Sequence, residues 1–355
     1  MRCSGRRRSP RPRAPLSRRR RLVPDFAWPA GSATGVGSMP GTDVAEAQRT
    51  IFGELPDLPH LAELPERGPG ADMIGRSAGF LVDLPVQVYA GRWQVAPRPG
   101  TDLRRTADLL ERDLDQLTEQ GDGFAGLVKL QSAGPWTLAA SIDLPIGGRL
   151  LRDQGAVRDL TDSLAEGLRR HVDEVRKRLP RASLLLQLDE PSLPAVLAGH
   201  VPTESGLGVY RAVEAADAAT ALRTVVSAVG VPVVVHSCAP SVPLQVIRDS
   251  QAAAVSLDMS LIEDLDPLGE TIEAGLGIFA GVVPTRPVPG RTPDAKAIAE
   301  KMTTLWRQRL GFSAEQLARQ VVLTPACGLA GAPPAYVRAV LTALREAGLR
   351  LSEAR

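Results

Sequence analysis

Three runs of β-forming residues end in side chains that bind soft metals or carry protons. Val233-Val-Val-His-Ser-Cys238 delivers an imidazole at His236 and a thiol at Cys238, and Pro240 then breaks the run. Val321-Val-Leu-Thr-Pro-Ala-Cys327-Gly328 ends in a second thiol, and Ala252-Ala-Ala-Val-Ser-Leu257 ends in Asp258. One imidazole, two thiols and a carboxylate form a ligand set that zinc accepts. The four residues come from three separate runs, so this is no zinc-finger spacing and only the fold could gather them. Read singly, they are equally buried apolar cysteines, a core histidine and a helix-capping aspartate. A thiolate-rich centre is a poor generator of hydroxide, because its ligands already donate much charge. It suits a substrate thiol, which at a free pKa of ~8.5 is mostly protonated near neutral pH and becomes a thiolate on a metal. Alkyl transfer to sulfur is the reaction such a centre would serve.

Other candidates lie at similar places. Ser183-Leu-Leu-Leu-Gln-Leu188 runs into Asp189-Glu190-Pro191. Two carboxylates after an apolar strand must face solvent or a polar site, or else cap the next helix; Asp189 and Glu190 are the candidate catalytic residues. Gln131 ends the run from Gly126 and, with Trp136 in the following loop, is a candidate substrate contact; for Trp136 core is the other reading, and the one the sequence favours. Ser38 sits in the turn Gly35-Val-Gly-Ser-Met-Pro40, where glycine allows a ligand close to the backbone. Pro40 breaks the spacing a dinucleotide fingerprint needs. His171, among Arg169, Arg170 and Asp173 on an amphipathic helix, reads as solvated.

The elements that must position these residues alternate. Strands are expected near 33–37, 59–64, 126–131, 183–188, 231–235, 253–257, 276–283 and 320–323. Most of the intervals read as helices, and the stretch through Pro99 as an irregular, proline-rich excursion. Apolar, non-alternating strands separated by helices imply a parallel sheet, and eight such units suit an α/β (β/α)8 (TIM) barrel whose active face lies at the strand C-termini. An open doubly wound sheet is the alternative, and it would scatter the candidate residues.

Composition sets outer limits. The chain has 355 residues, 44% hydrophobic and 23% charged, with three cysteines and a net charge of +2. Residues 1–24 hold ten arginines and no acid, so the remainder carries about −8, which argues against a nucleic-acid groove on the body. Residues 1–30 are expected to be a disordered basic extension, dispensable for activity, and 31–355 a single catalytic barrel. Three cysteines give no even disulfide framework, and no apolar run reaches the ~20 residues of a membrane span, so a cytoplasmic protein without membrane or nucleic-acid partners is expected.

Taken together, Val-His-Ser-Cys, Asp258 after its strand, Pro-Ala-Cys-Gly-Leu, Leu-Asp-Glu-Pro-Ser-Leu and Gly-Val-Gly-Ser-Met-Pro resemble the catalytic C-terminal barrel of cobalamin-independent methionine synthase, over about residues 33–345. The resemblance implies zinc held by His236, Cys238, Asp258 and Cys327. It implies the amino-acid end of homocysteine held by Ser38 and Asp189, with Glu190 in the same pocket. Three departures stand out. The family's third zinc ligand is usually Glu, the N-terminal barrel of the family's long form has no counterpart here, and Arg286 stands near the position of a His that protonates the departing folate. Arginine is no general acid near neutral pH, so the resemblance carries thiol activation while the methyl donor stays open between methyl-tetrahydrofolate and a methyl-corrinoid protein. A corrinoid-dependent methyltransferase of another small thiol, a metal-free decarboxylase of the uroporphyrinogen type and a non-catalytic homocysteine- or zinc-binding barrel are the competing readings.

Overall fold

From Leu127 onward, each apolar run that reads as a buried strand is one. The computed structural model describes residues 25–353. In chain order the elements are α1 (Val44–Glu54), α2 (Met73–Ala78), β1 (Val86–Tyr89), β2 (Arg92–Val95), α3 (Thr101–Gln120), β3 (Leu127–Ala133), α4 (Pro135–Ala139), α5 (Gln154–Arg178), β4 (Ser183–Asp189), α6 (Leu193–Ala198) and α7 (Ala215–Ala228). They continue with β5 (Val233–Ser237), α8 (Leu244–Asp249), β6 (Ala254–Asp258), α9 (Asp266–Glu273), β7 (Gly277–Val283), α10 (Ala295–Thr303), α11 (Ala314–Gln320), β8 (Val321–Pro325) and α12 (Pro334–Glu353). Strands β3 to β8 pair in sequence order, all parallel, in one curled sheet.

Two extended segments close the circuit in place of two full strands. Thr34 N–H donates to Leu323 O at 3.0 Å, and Leu323 N–H to Ser32 O at 3.1 Å. On the other edge Leu61 N–H donates to Lys129 O at 3.0 Å and Lys129 N–H to Pro59 O at 2.9 Å. The two segments meet where Met39 N–H donates to Glu63 O at 2.8 Å. The (β/α)8 circuit is therefore present as a half-barrel of six strands plus two bridged segments. The expected strands at 33–37 and 59–64 do not form full ladders. Their glycines weaken a strand, and Pro40, Pro59 and Pro65 lack the N–H a ladder needs.

Alternation along each strand divides the interior into layers. At the base, Leu127, Leu185, Val234, Ala254, Phe279 and Val322 form an apolar floor with Leu58 and Trp28. Two residues further along the same strands stand Lys129, Gln187, His236, Ser256 and Thr324, all buried. The change from hydrocarbon to polar side chains places the chemistry at the strand C-termini.

Trp28 corrects the expected boundary at residue 30. Its ring meets Phe279 edge-on at 5.0 Å, its indole N–H donates to Arg319 O at 3.2 Å, and Gly277 leaves room for it. The rest of the basic extension, residues 1–24, lies outside the described residues. The irregular excursion before Pro99 contains the antiparallel hairpin β1–β2, which alternating Val86-Gln-Val-Tyr89 and Arg92-Trp-Gln-Val95 could have signalled. No helix among the described residues is long and apolar enough to cross a membrane.

His171 is the second correction. It is 6% exposed, not solvated, and its ring lies 4.6 Å from Phe80. Its positions relative to Leu164, Leu168 and Val175 put it on the apolar stripe of α5, which outweighs its charged sequence neighbours. Burial, then the charges of Arg76 and Arg178, push its pKa down to about 3 from 6.5. The folded state thus keeps a neutral ring where the unfolded chain takes up a proton. The stability is present in full above pH ~6.5 and lost as pH falls toward ~3. Between pH 6.5 and 5 the loss is about 2 kcal/mol at 1.36 kcal/mol per unit. Urea unfolding at pH 7 and pH 5 is expected to show wild type losing about that much more stability than His171→Leu.

Candidate metal and amino-acid site

The register of β5 with β6 sets His236 opposite Ser256, and His236 Nδ1 shares a hydrogen bond with Ser256 Oγ at 2.9 Å. That contact fixes the ring and leaves Nε2 for the site. Cys327 Sγ lies 3.9 Å from Nε2, and Cys238 Sγ lies 2.8 Å from Cys327 Sγ. Both cysteines are free thiols. Among the described residues these three form a group able to hold a metal, their ligand atoms all within 4.8 Å of one another. Tetrahedral zinc bonds of ~2.0–2.3 Å separate neighbouring ligands by roughly 3.3–3.8 Å, so the spacing and the donor set fit zinc after a small parting of the two sulfurs. The hydrogen bond shared by the two sulfurs lowers the Cys238 pKa and raises that of Cys327.

Asp258, expected as the fourth ligand, is outside this group. Its Oδ1 accepts from Ser260 N–H at 2.9 Å and Ser260 Oγ at 2.6 Å. A short carboxylate two residues before a serine closes its own Asx turn.

Beside Cys238 lies the buried acid Asp189, and next to Asp189 the partly buried Glu63. Asp189 stands opposite His236 in the β4–β5 register and accepts from Gln187 Nε2 at 2.7 Å. Burial pushes its pKa up, and His236 and then Lys129 pull it back. Glu63, at the end of the second bridged segment, is the other acid; its Oε2 would lie 2.9 Å from a Cβ on Gly37. Burial pushes its pKa up to about 7, opposed first by Arg76, while the charge of Asp189 adds to the rise. The sequence reading missed Glu63, although Leu61-Ala-Glu63 ends an expected strand, which is where a barrel places its chemistry. Ser38 joins the same rim, its backbone carbonyl accepting from Leu329 N–H at 2.9 Å. Gly328 passes so close to Ser38 Oγ that no side chain fits there.

Beneath the acids Lys129 is fully buried. Its Nζ donates to Val36 O at 2.7 Å, Gln187 Oε1 at 2.9 Å and Gln131 Oε1 at 3.3 Å. Burial lowers its pKa to about 8 against the pull of Asp189 and Glu63. The lysine also orients the Gln187 amide so that its NH2 faces Asp189.

Three expected site residues serve elsewhere. Gln131 spends its amide on Lys129 and on Leu61 O, bracing the barrel wall. Trp136 is buried at 3% exposure, with its indole N–H donating to Ala218 O at 3.1 Å; it packs α4 against α7, away from the metal-ligand group. Glu190 accepts from Trp136 N–H at 3.0 Å, Thr137 N–H at 2.8 Å and Thr137 Oγ1 at 2.7 Å. Its carboxylate ties the start of α4 to the end of β4 and is not free to exchange protons with a ligand. Burial holds its pKa up at about 7, with the Thr137 and Trp136 donors opposing. Arg286, on the β7–α10 loop, approaches Gly331 on the β8–α12 loop.

A curled parallel sheet with a group of soft-metal ligands at its strand C-termini defines the class: an α/β-barrel protein with a candidate metal centre. The sequence matches the profile of the cobalamin-independent synthase catalytic domain over residues 31–349, and the chain belongs to that family. A B12-independent methionine synthase from Shewanella sp. W3-18-1, solved in complex with selenomethionine, superposes with a TM-score of 0.59 at 12% identity, covering 91% of this chain and 98% of that one. A Bacteroidetes-affiliated cellulase superposes with a TM-score of 0.39 at 11% identity, covering 88% and 95%, a similarity too low to bear on function. No curated protein sequence matches the chain.

Proposed function

We propose that the protein transfers a methyl group to the thiol of homocysteine, giving methionine, with zinc bound by His236, Cys238 and Cys327. One observation carries this reading: two thiols and an imidazole stand next to the buried carboxylate of Asp189, whose charge acts on the partly buried Glu63, with Ser38 on the same rim. A soft metal suits sulfur, and paired acids suit an ammonium group. The substrate is then an amino acid with a thiol at its far end. Zinc bound there would lower the pKa of the substrate thiol and hold it as a nucleophilic thiolate. Asp258 would join the ligand set by giving up Ser260, or leave the fourth position to the substrate. Asp189 and Glu63 hold the ammonium, Ser38 lines the rim beside them, and Gln187 keeps Asp189 aimed at the ligand. The selenomethionine bound by the Shewanella enzyme has the size and chemistry that this cradle would take.

Arg286 bears on the donor. It supplies no proton to a departing folate amine near neutral pH, which favours a methyl-corrinoid protein, whose cobalt needs none. The test is methionine formation from L-homocysteine by zinc-loaded protein, with methyl-tetrahydrofolate and methylcobalamin assayed in parallel. Methionine from either donor is the expected result. Zinc retained with no methionine from either donor would leave a binding protein in place of an enzyme.

A further inference from the structure

Glu63 does not stand alone. Behind it Arg76, on α2, is 2% exposed. Its Nη1 donates to Asp113 on α3, and its Nε lies 3.6 Å from Glu63 Oε1. Asp113 is fully buried and is gripped from the other side by Arg67, at 2.7 Å and 2.9 Å. Among the described residues, Arg76 Nε and Nη2 have no hydrogen-bond acceptor. A buried guanidinium with two unused donors is expensive unless its charge serves a neighbour. The neighbour within reach is the acid that faces the ligand.

We propose that Arg76 is a positioning residue whose buried charge, anchored by Asp113 and Arg67, favours the anionic form of Glu63 that receives the ammonium of the substrate. The inference rests on the amino-acid reading of the site and adds to it a reason why the anion of one of two adjacent acids is favoured. Four charged groups act on Glu63: Arg76 from α2 and Lys129 from β3 favour its anion, while Asp189 from β4 and Asp113 from α3 oppose it. Arg76 is the largest of the favourable influences, so removing it leaves burial and two like charges acting with Lys129 alone against them. The ionised fraction near neutral pH then falls, and ligand affinity falls with it. At higher pH the anion forms regardless, and affinity returns.

The experiment follows the Glu63 carboxyl itself. Protein labelled with carbon-13 at glutamate side-chain carboxyls is titrated from about pH 5 to about pH 9, the Glu63 resonance being the one absent from E63Q. R76Q is expected to raise the midpoint by about one unit or more, and R76K, which keeps the charge, to leave it near the wild-type value. Calorimetry with L-methionine, whose thioether does not titrate, gives the functional arm. From a one-unit shift off a midpoint of about 7, R76Q should bind about fivefold more weakly at pH 7 and within about twofold of wild type at pH 8.5. An unmoved midpoint in folded R76Q, or equal weakening at both pH values, overturns the proposal. A moved midpoint in a protein that binds no L-methionine at any pH upholds the role of Arg76 and sinks the amino-acid reading instead.

Discussion

Cys238→Ser and Cys327→Ser are each expected to reduce bound zinc from about one per chain to background, and methionine formation by at least about a hundredfold. Serine keeps the size of the side chain but is a far poorer zinc ligand than a thiolate. With only three protein ligands gathered in the group, losing one leaves two. Neither cysteine belongs to the apolar clusters of the barrel, so the fold should survive. Metal analysis by mass spectrometry, alongside circular dichroism, separates loss of metal from loss of structure. Full zinc occupancy in both variants would show that the metal, if the protein binds one, sits somewhere else.

The second large effect is structural. Asp113→Ala is expected to destabilise the protein by about 3–5 kcal/mol, because it strands the buried charge of Arg76 and unpairs the partly buried Arg67. Asp113 is fully buried, accepts a bidentate pair from Arg67 and a further bond from Arg76, and Arg76 is itself 2% exposed. Equilibrium urea unfolding at pH 7 measures the loss. A loss below about 1 kcal/mol would mean that solvent reaches the guanidinium groups and that they need no partner.

Asp113 also shows where sequence reasoning stops. It lies on α3 with nothing nearby in the chain to set it apart from Asp108 or Asp115. Its importance comes from Arg67 and Arg76, 46 and 37 residues away. By contrast, the circuit of the barrel was legible, since apolar runs such as Val233–Val235 and Leu184–Leu186 have to be buried on both faces. His236, Cys238 and Cys327 were legible because so few soft ligands occur and all three end such runs. The spacing around Asp258 gave the strand end correctly but could not reveal that Ser260 takes its carboxylate. Likewise, Asp-Glu-Pro marks a strand terminus, yet which acid faces the ligand depends on the pleat. Asp189 follows Gln187 into the barrel, and Glu190 turns outward to α4. His171 was misjudged, and Trp136 left between a ligand contact and core, for one reason: burial of a side chain that carries a nitrogen is decided by what packs over it, Ala218 of α7 for Trp136 and Phe80, in the turn after α2, for His171.

The floor built around Trp28 has a kinetic consequence. With the base of the barrel filled by hydrocarbon, the reactants and products of the proposed reaction would enter and leave at the strand C-termini. On the proposed reaction, the finished amino acid would have to leave before a new methyl carrier docked over that end. Steady-state kinetics should accordingly show methionine slowing turnover by competing with homocysteine, and an ordered exchange of guests in place of independent comings and goings.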